Sequence, residues 1–388
     1  MVELINNKEH MNTDGLQKII NLKASLNTGN SCELKALFPR TIPVVRPLVK
    51  YTRIPDPHWL TGFTEASPKA LVVWGENLPY LVGKARLTKV EREMIKLPWW
   101  TTGFVDAEGC FRISIRKNKK LKTDWSVSLI FQIGLHDRDQ TVLELIKSSL
   151  GVGKIYKHSK DMIQLRVESV NDLLVIINHF NKYPLITQKR ADFELFKQAY
   201  ELIQNKEHLT VEGLNKLVAI KAPLNWGLPD NLIGAFPNIK LVPRPLVLNQ
   251  SIPDSNWLAG FVSGEGCFFV TIKKSDKYLL GESVQLRFQI TQHSRDEQLL
   301  RSLISYLGCG RYSFSQGRDW GDFVVTKFSD LTEKVIPFFE KSPIVGVKSH
   351  DFEDFKKVSK LMKEGAHLTQ EGLEEIKQIK AGMNKVRK

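Results

Sequence analysis

The sequence has few cysteines, no membrane-length apolar run and no excess of acidic residues. Its four cysteines lie far apart without a C-x-x-C pair, which excludes a disulfide framework and argues against a zinc cluster. No apolar stretch reaches the roughly 18 residues that a transmembrane helix needs. Residues 1–10 show neither a signal peptide nor an Arg-rich transit peptide. We therefore expect a protein of a reducing, non-secretory compartment that does not enter a membrane.

What the chain does have is length and positive charge. Its 388 residues leave room for two or three domains, and its 42% hydrophobic residues can fill a core, which excludes a disordered tail. Lysine and arginine together number 56 against 42 aspartates and glutamates, for a net charge of +14. An excess of this size favours a polyanion such as nucleic acid as the partner.

Comparison of the sequence with itself reveals a duplicated domain. Residues 100–111 read WTTGFVDAEGCF, and residues 257–268 read WLAGFVSGEGCF. Further matches follow downstream of both motifs in the same order. We therefore predict a first domain at residues 97–204, a connector at residues 205–253 and a second domain at residues 254–388.

A second internal match involves the N-terminal segment. Residues 1–67 align without a gap with residues 199–265, and NKEH and RPLV occur in both. The copy fails at Ser67, where the repeat has a glutamate, and Pro68 follows at once. Proline there ends a helix and removes a strand donor. We predict that residues 1–67 are a degenerate duplicate of the connector and motif start, followed by a recombinant lead-in segment at residues 68–96.

Each duplicated unit is predicted to have the order αββαββα, which is an α+β fold. Helical elements are identified by apolar spacing, capping residues and terminal glycines, and strands by alternation as in FRISIR. In the first unit the predicted helices are 98–106, 137–150, 171–180 and 188–204, and the predicted strands are 111–116, 126–133, 153–156 and 163–167.

The two glycine-rich motif helices each end in one acidic residue. Small residues would let the helices pack backbone to backbone, namely Gly103, Ala107, Ala259, Gly260 and Gly264. This packing would bring Glu108 and Glu265 together, and two close carboxylates are tolerated when divalent cations lie between them. With a phosphodiester as substrate, the pair predicts metal-assisted hydrolysis. One such motif alone is typical of a capped helix, and the recurrence in both domains favours the functional interpretation.

These motifs resemble those of monomeric, two-motif LAGLIDADG homing endonucleases of fungal mitochondrial introns. The resemblance rests on W-x-x-G-F-x-[DS]-x-E-G-C-F in both domains and on LNWGL at residues 224–228, and it covers residues 97–380. It implies two pseudo-symmetric αββαββα domains that form a saddle, whose antiparallel sheets straddle the DNA major groove. It also implies Mg²⁺-dependent double-strand cleavage of a long, asymmetric DNA site by a monomer in the mitochondrial matrix.

The resemblance also assigns roles to individual residues. Those that match the family's metal-binding positions are Glu108 and Glu265, supported by the carbonyls of Ala107 and Gly264. Gln132 and Gln289 match polar residues that order the attacking water. Lys327 matches a basic residue near the scissile phosphate, whereas the first domain has Ser169 there, with Arg166 three residues earlier. One half-site is therefore expected to cut more slowly.

Strand parity predicts which residues face the DNA. Side chains in phase with the motif glutamates and with the two glutamines share one sheet face, where they can read base edges or hold phosphates. The candidates, with Arg166, are Arg112, Ser114, Arg116, Ser126, Ser128, Phe269, Thr271, Lys273, Ser283, Gln285 and Arg287. Lys117 and Lys119, in the following turn, are expected to contact phosphates. The alternative is a solvated sheet face, and the opposite parity, with Ile113 and Val270, is expected to pack under the helices.

Several other residues are predicted to be structural. His136 and His293 each precede an R-D helix start, which favours a structural role for them. Trp100 and Trp257 recur in step with the motif helices, which suggests core packing.

Two other functions stay open from the sequence. The same fold resembles that of intron maturases, which bind host intron RNA and assist splicing. A decayed copy could also be a catalytically silent DNA-binding protein. Both motif glutamates are intact, which argues against decay but leaves an additional maturase role possible.

Overall fold

The structure is a computed structural model that describes residues 12–24, 97–225, 227–314 and 317–384. The chain divides into two compact units, Met1–Leu78 and Pro79–Lys388. In the first unit the described part is one helix, α1 (Thr13–Ala24). The rest of the predicted degenerate duplicate, and the whole predicted lead-in segment, lie outside the described residues. Within the described ranges, no helix combines the length and apolar character needed to cross a membrane.

The second unit contains two α+β domains with the same order of elements. The first comprises α2 (Pro98–Glu108), β1 (Gly109–Lys117), β2 (Trp125–His136), a 3-10 turn (Asp137–Asp139), α3 (Gln140–Leu150), β3 (Lys154–Lys157), β4 (Met162–Val167), α4 (Val170–Lys182) and α5 (Lys189–Gln204). A further 3-10 turn (Glu207–Leu209), α6 (Val211–Lys221) and α7 (Asp230–Ala235) belong to the connector.

The second domain repeats this order with one change. It comprises α8 (Ser255–Glu265), β5 (Gly266–Lys274), β6 (Glu282–His293), a 3-10 turn (Ser294–Asp296), α9 (Glu297–Leu307), β7 (Arg311–Phe314), β8 (Trp320–Val325), α10 (Phe328–Asp330), a π-helical turn (Leu331–Val335), α11 (Ile336–Lys341), α12 (Val347–Lys363), a 3-10 turn (Ala366–Leu368) and α13 (Gln370–Ala381). The single helix α4 thus corresponds to three short pieces, and Pro337, which has no N–H to donate, lies in the last of them.

Each domain is built on one four-stranded antiparallel sheet. The strand orders are β1-β2-β4-β3 and β5-β6-β8-β7. The register is the same in both, since Cys110 lies opposite Gln132 and Cys267 lies opposite Gln289. The predicted α+β class, the two-domain pseudo-symmetry and the antiparallel sheets are therefore confirmed.

The sheets and helices enclose two hydrophobic cores. Phe111, in the first core, and Phe268, in the second, are each fully buried among four aromatic neighbours. Ile113 and Val270 are buried, as strand parity predicts for the helix-facing side of each sheet. Trp100 and Trp257 are fully buried, so the core role predicted for them is confirmed.

The connector is attached to both domains by side-chain hydrogen bonds. Arg244 donates to Asp192 Oδ1 at 2.6 Å and to the carbonyl of Gln188 at 2.9 Å. Gln250 donates to the carbonyl of Ile186 at 3.1 Å and to Asp296 Oδ1 at 2.5 Å. Gln250 therefore joins the start of α5 in the first domain to the 3-10 turn of the second.

Candidate active site

Helices α2 and α8 pack against each other backbone to backbone. A Cβ atom built on Gly103 would lie 1.9 Å from the carbonyl oxygen of Trp257, and one built on Gly260 would lie 2.1 Å from that of Trp100. Neither distance leaves room for a side chain, because real Cβ contacts are longer than 3 Å. The close helix contact predicted from the small residues is thus present, and it is reciprocal.

This packing places the two motif glutamates in one electrostatic environment. Glu108 and Glu265 are the last residues of α2 and α8, and both are half-buried. A Cβ atom on Gly264 would lie 3.3 Å from Glu108 Oε1, so this carboxylate lies against the opposite helix. Burial raises the pKa of Glu108, and the charge of Glu265 raises it further. Burial also raises the pKa of Glu265.

Two lysines that sequence analysis did not assign lie beside these glutamates. Lys189 Nζ donates to the carbonyls of Val105 and Ala107, both at 3.0 Å. Lys348 Nζ donates to the carbonyl of Gly264. Burial lowers the pKa of each lysine, whereas neighbouring acidic groups, the motif glutamates among them, raise it. The centre therefore brings together two glutamate carboxyl groups and two lysine amino groups.

The carbonyls of Ala107 and Gly264, predicted as supporting metal ligands, accept these lysine hydrogen bonds. A carbonyl oxygen has two lone pairs, so each can still accept a second partner. In the described ranges, no group of three or more His, Cys, Asp or Glu side chains is arranged to hold a metal ion. The two glutamate carboxyl groups and these carbonyls are oxygen donors of the kind that a divalent cation takes, and Glu265 also has a side-chain hydrogen bond with Gln292.

The two predicted water-ordering glutamines differ in their contacts. Gln289 Nε2 donates to Asp322 Oδ1 at 2.7 Å and to Thr291 Oγ1 at 3.1 Å. Gln132 Oε1 is buried, and no described residue donates a hydrogen bond to it. Lys327 precedes α10 and is exposed, so its contact with a phosphate remains a prediction.

Most of the predicted DNA-facing side chains lie on one face of each sheet. The register pairs them with one another, as Arg116 with Ser126 and Thr271 with Gln285. Ser114 differs from the other predicted DNA-facing residues because it is only 6% exposed, which leaves little of its side chain accessible to DNA. The exposed members are Arg112, Arg116, Lys117, Lys119, Ser128, Lys273 and Gln285; Ser126, Arg166, Phe269, Thr271, Ser283 and Arg287 are partly exposed.

The polar faces of the two sheets differ in charge at equivalent positions. In the first sheet Arg166 donates to Gln164 Oε1 at 2.9 and 2.7 Å. In the second sheet Asp322 replaces Gln164 and also accepts from Thr291 Oγ1 at 2.5 Å. The motif offset of 157 residues places Gln164 on Gly321, so only the strand register identifies Asp322 as its counterpart. Arg166 itself corresponds to Val324, so the first sheet has a cation that the second lacks, and the second has a carboxylate where the first has a neutral amide.

The duplicated sheets and the shared glutamate pair define a pseudo-symmetric, two-domain protein. The family model described as LAGLIDADG endonuclease matches residues 101–200 and 258–359, one match in each domain. The chain belongs to this family.

Relatives with similar sequences come from fungi. "Probable intron-encoded endonuclease 3" of Neurospora crassa is 40% identical over 282 residues, which cover 72% of this chain and 53% of that protein. "Probable intron-encoded endonuclease 2" of the same fungus is 39% identical, over 73% of this chain and 64% of that protein. The chain therefore spans only about half to two thirds of the length of these relatives.

Solved structures with the same fold are LAGLIDADG nucleases. The I-SmaMI LAGLIDADG homing endonuclease bound to cleaved DNA has a TM-score of 0.74 and 44% identity, covering 79% of this chain and all of that one. The I-CpaMI meganuclease bound to uncleaved DNA has a TM-score of 0.72 and 48% identity, covering 74% of this chain and 99% of that one. A double variant of I-SmaMI has two lysines replaced by alanine, and these are as far apart in sequence as Lys189 and Lys348.

Proposed function

We propose that this protein is a homing endonuclease that makes a double-strand break at a long, asymmetric DNA site and so promotes intron mobility. The observation that carries the proposal is the pair of half-buried glutamates, Glu108 and Glu265, at the ends of two interlocked helices. Each glutamate is followed directly by a strand whose outer face is polar. The names of the relatives and the DNA-bound state of the similar structures support this function.

We infer that a divalent cation, Mg²⁺ in the cell, serves as the cofactor. Glu108 and Glu265 would hold it, with the carbonyls of Ala107 and Gly264, and these donors are all oxygens of the kind that Mg²⁺ and Ca²⁺ prefer. The raised pKa of both glutamates fits such a site, because a cation would stabilise the ionised pair. When bound, the cation would offset charge on the phosphate and favour ionisation of water.

The protein's own groups would supply the remaining chemistry. Lys189 and Lys348 would offset negative charge that develops on the scissile phosphate of each strand. Gln132 and Gln289 would orient the attacking water, and Lys327 would contribute a further cation in the second half-site. Because Ser169 replaces this lysine in the first domain, one strand would be cut more slowly than the other.

The polar sheet faces would bind double-stranded DNA. Exposed arginines and lysines of β1, β5 and the β1–β2 turn would neutralise phosphates, and polar side chains between them would contact base edges. The candidates for base contacts are the DNA-facing side chains of β1, β2, β5 and β6 listed above. Ser114 would contribute least to binding because it is buried.

We infer that one chain acts as a monomer on both strands. It would use a first domain at residues 97–204, a connector at 205–253 and a second domain at 254–388. We also infer a mitochondrial location. A similar protein of Podospora anserina, 50% identical over 29% of this chain and 26% of that one, is described as lying in an ND4 intron. The alternative of an RNA maturase rests on resemblance alone.

The proposal is tested by selection followed by cleavage. The full chain is used to enrich bound duplexes from a randomised DNA pool in Ca²⁺, and the enriched duplexes are then incubated with Mg²⁺ or with a chelator. We expect a Mg²⁺-dependent double-strand break, lost in E108Q and E265Q while binding is kept. The exposed Glu144 of α3 provides a matched E144Q control that should cut normally. Failure to enrich any sequence, or to cut it, would refute the proposal.

A further inference from the structure

The two domains exchange a hydrogen bond at the start of one helix in each. Asp296 Oδ1 of the second domain accepts from the main-chain N–H of Gln188, just before α5, at 2.7 Å. Asp139 Oδ1 of the first domain accepts from the main-chain N–H of Val347, the first residue of α12, at 2.8 Å. The two acids occupy equivalent positions, each at the end of the 3-10 turn that follows the second strand of its own domain.

The capped helices carry the two lysines of the catalytic centre at their N-termini. Lys189 is the first residue of α5, and Lys348 is the second residue of α12. The first N–H groups of a helix have no partner within the helix, so an acceptor side chain fixes where the helix starts. Each acid therefore holds the helix start that carries the lysine of the other domain.

We propose that Asp139 and Asp296 are positioning residues for the lysine of the opposite domain, so that each strand-cutting site is assembled from both domains. This inference rests on the proposed function. Asp139 positions the side chain of Lys348, and Asp296 positions the side chain of Lys189. The acids need not touch DNA, because they hold the helix starts from which the lysines reach the main-chain carbonyls beside the glutamates. The charge of Asp139 also raises the pKa of Glu108 and of Lys348 directly.

The turns that present the acids are themselves held in place. The His136 ring accepts a hydrogen bond from the main-chain N–H of Arg138, and the His293 ring accepts one from that of Arg295. The histidines thus have a structural role, as predicted from the sequence, at the start of each 3-10 turn. On the opposite side, a Cβ atom on Gly346 would lie 2.7 Å from Asp139 Oδ1, which shows how closely the two domains approach there.

The two helix starts differ in how much they depend on the opposite domain. At α5 the main-chain N–H of Lys189 also donates to Thr187 Oγ1 at 3.2 Å, and Asp296 is braced by Gln250. At α12 the position equivalent to Thr187 is Gly346, which has no side chain to accept a hydrogen bond. Loss of Asp139 should therefore disturb Lys348 more than loss of Asp296 disturbs Lys189.

A strand-resolved cleavage assay tests this cross-domain pairing. The substrate is a duplex enriched by the unmodified full chain, labelled at a different end on each strand. We expect D139A to slow the same strand as K348A, by about tenfold or more for a loss of about 1.4 kcal/mol in transition-state stabilisation. D296A should slow the strand that K189A slows. D139N keeps an oxygen acceptor for the Val347 amide, so it should cut this strand faster than D139A does.

An exposed acid of the same domain provides the control. Glu144 lies on α3, and its described hydrogen bond is local, from Gln140 Nε2 at 2.6 Å, so E144A should cut both strands normally. If Asp139 merely stabilised the fold, D139A would slow the cleavage of both strands to the same extent. That result, or slowing by D139A of the strand that depends on Lys189, would overturn the inference.

Amide hydrogen exchange provides a measurement that does not need DNA. In D139A the amide of Val347 should lose protection while that of Gln188 keeps it, and in D296A the reverse should hold. Unchanged exchange at Val347 in D139A would also overturn the inference. If the unmodified protein cuts no duplex, the proposed function fails, whereas the exchange data still decide whether the cross-domain caps exist. If D296A does not fold, the D139A, D139N and K348A comparison suffices, since Asp139 is only half-buried.

Discussion

Asp106 and Ser263 occupy the same position in the two motif helices but make different contacts. Asp106 accepts hydrogen bonds from the main-chain N–H of Ile186, from Thr187 and from Trp257 Nε1 at 2.8 Å. Ser263 instead accepts from the main-chain N–H of Val345 and donates to its own helix. The ring N–H of Trp257 therefore has a hydrogen-bond acceptor, the carboxylate of Asp106.

Trp100, the counterpart of Trp257, has a buried ring N–H that finds no acceptor among the described residues. The two tryptophans thus form a matched pair. We expect W257F to lower the free energy of unfolding by about 1–3 kcal/mol more than W100F, because only W257F removes a buried hydrogen bond to a carboxylate. The loss of ring volume is the same in both. Urea unfolding followed by circular dichroism would measure the difference, and equal losses would contradict the prediction.

A buried histidine makes stability sensitive to acid. Burial lowers the pKa of His179, in α4, to about 4. Its ring lies 3.1 Å from Thr102 Oγ1, so the neutral ring is accommodated in the fold. In the unfolded chain the histidine takes up a proton near pH 6.5, whereas in the folded protein it stays neutral down to about pH 4. The free energy of unfolding is therefore highest above pH 6.5 and falls as the pH drops toward 4. The total loss should be about 3 kcal/mol, because each unit of pKa difference between the unfolded and folded states corresponds to about 1.4 kcal/mol.

The variant H179F tests this, because the second domain has Phe338 at the equivalent position. The acid-induced loss of unfolding free energy should be smaller in H179F than in the unmodified protein. The exposed His158 supplies the control, because H158Q should lose as much unfolding free energy in acid as the unmodified protein does. An unchanged acid profile in H179F would contradict the assignment.

At the scale of elements, the contact between α2 and α8 leaves no room for a side chain at either glycine. We expect G103A to destabilise the protein by about 3 kcal/mol or more, because the new Cβ would collide with the backbone of α8 rather than with a movable side chain. Gly234, in α7, offers the contrast, since nothing lies within 4 Å of a Cβ built there. G234A should leave stability unchanged or raise it by up to about 1 kcal/mol. Thermal unfolding of the two variants would settle the comparison.

The elements themselves follow from local sequence, and the departures have physical causes. The alternation in FRISIR correctly predicts β1, and Pro98 correctly predicts the start of α2. The helix predicted at residues 137–150 instead begins with a 3-10 turn at Asp137–Asp139, at whose start the ring of His136 accepts the N–H of Arg138. The helix predicted at residues 98–106 runs to Glu108.

The composition of the active site was only partly predictable. The glutamates were found because they end repeated motifs, whereas Lys189 lies far from Glu108 in sequence and reaches it only through the fold. Its recurrence as Lys348 was a visible signal. The hydrogen bonds of Asp139 and Asp296 across the domains could not have been predicted, because they depend on how the two domains are placed.

At the scale of the whole molecule, the net charge of +14 should govern how DNA is held. Lys117 and Lys119 are exposed at the end of β1 and in the turn after it. The double variant K117A/K119A should weaken binding of every duplex similarly. It should also reduce the slope of log affinity against log salt by about one for each phosphate that is no longer neutralised.

The control for this measurement is a lysine on the helical side of a sheet. Lys360 is 79% exposed on α12, which packs against β5. K360A should change neither the affinity nor the salt slope. Equal slopes for K117A/K119A and the unmodified protein would show that the turn does not contact phosphates. Binding would be followed by fluorescence anisotropy at several salt concentrations.

The interlocked glycines of α2 and α8 also limit how parts of related proteins can be recombined. Each glycine is matched to a backbone carbonyl of the other helix, so a change in one cannot be compensated by a side-chain change in its partner. The Asp106 and Ser263 positions, which contact loop amides, have by contrast diverged since the duplication. A domain taken from a relative should therefore be graftable here when it brings glycine in the same helical register, even if its loop contacts differ.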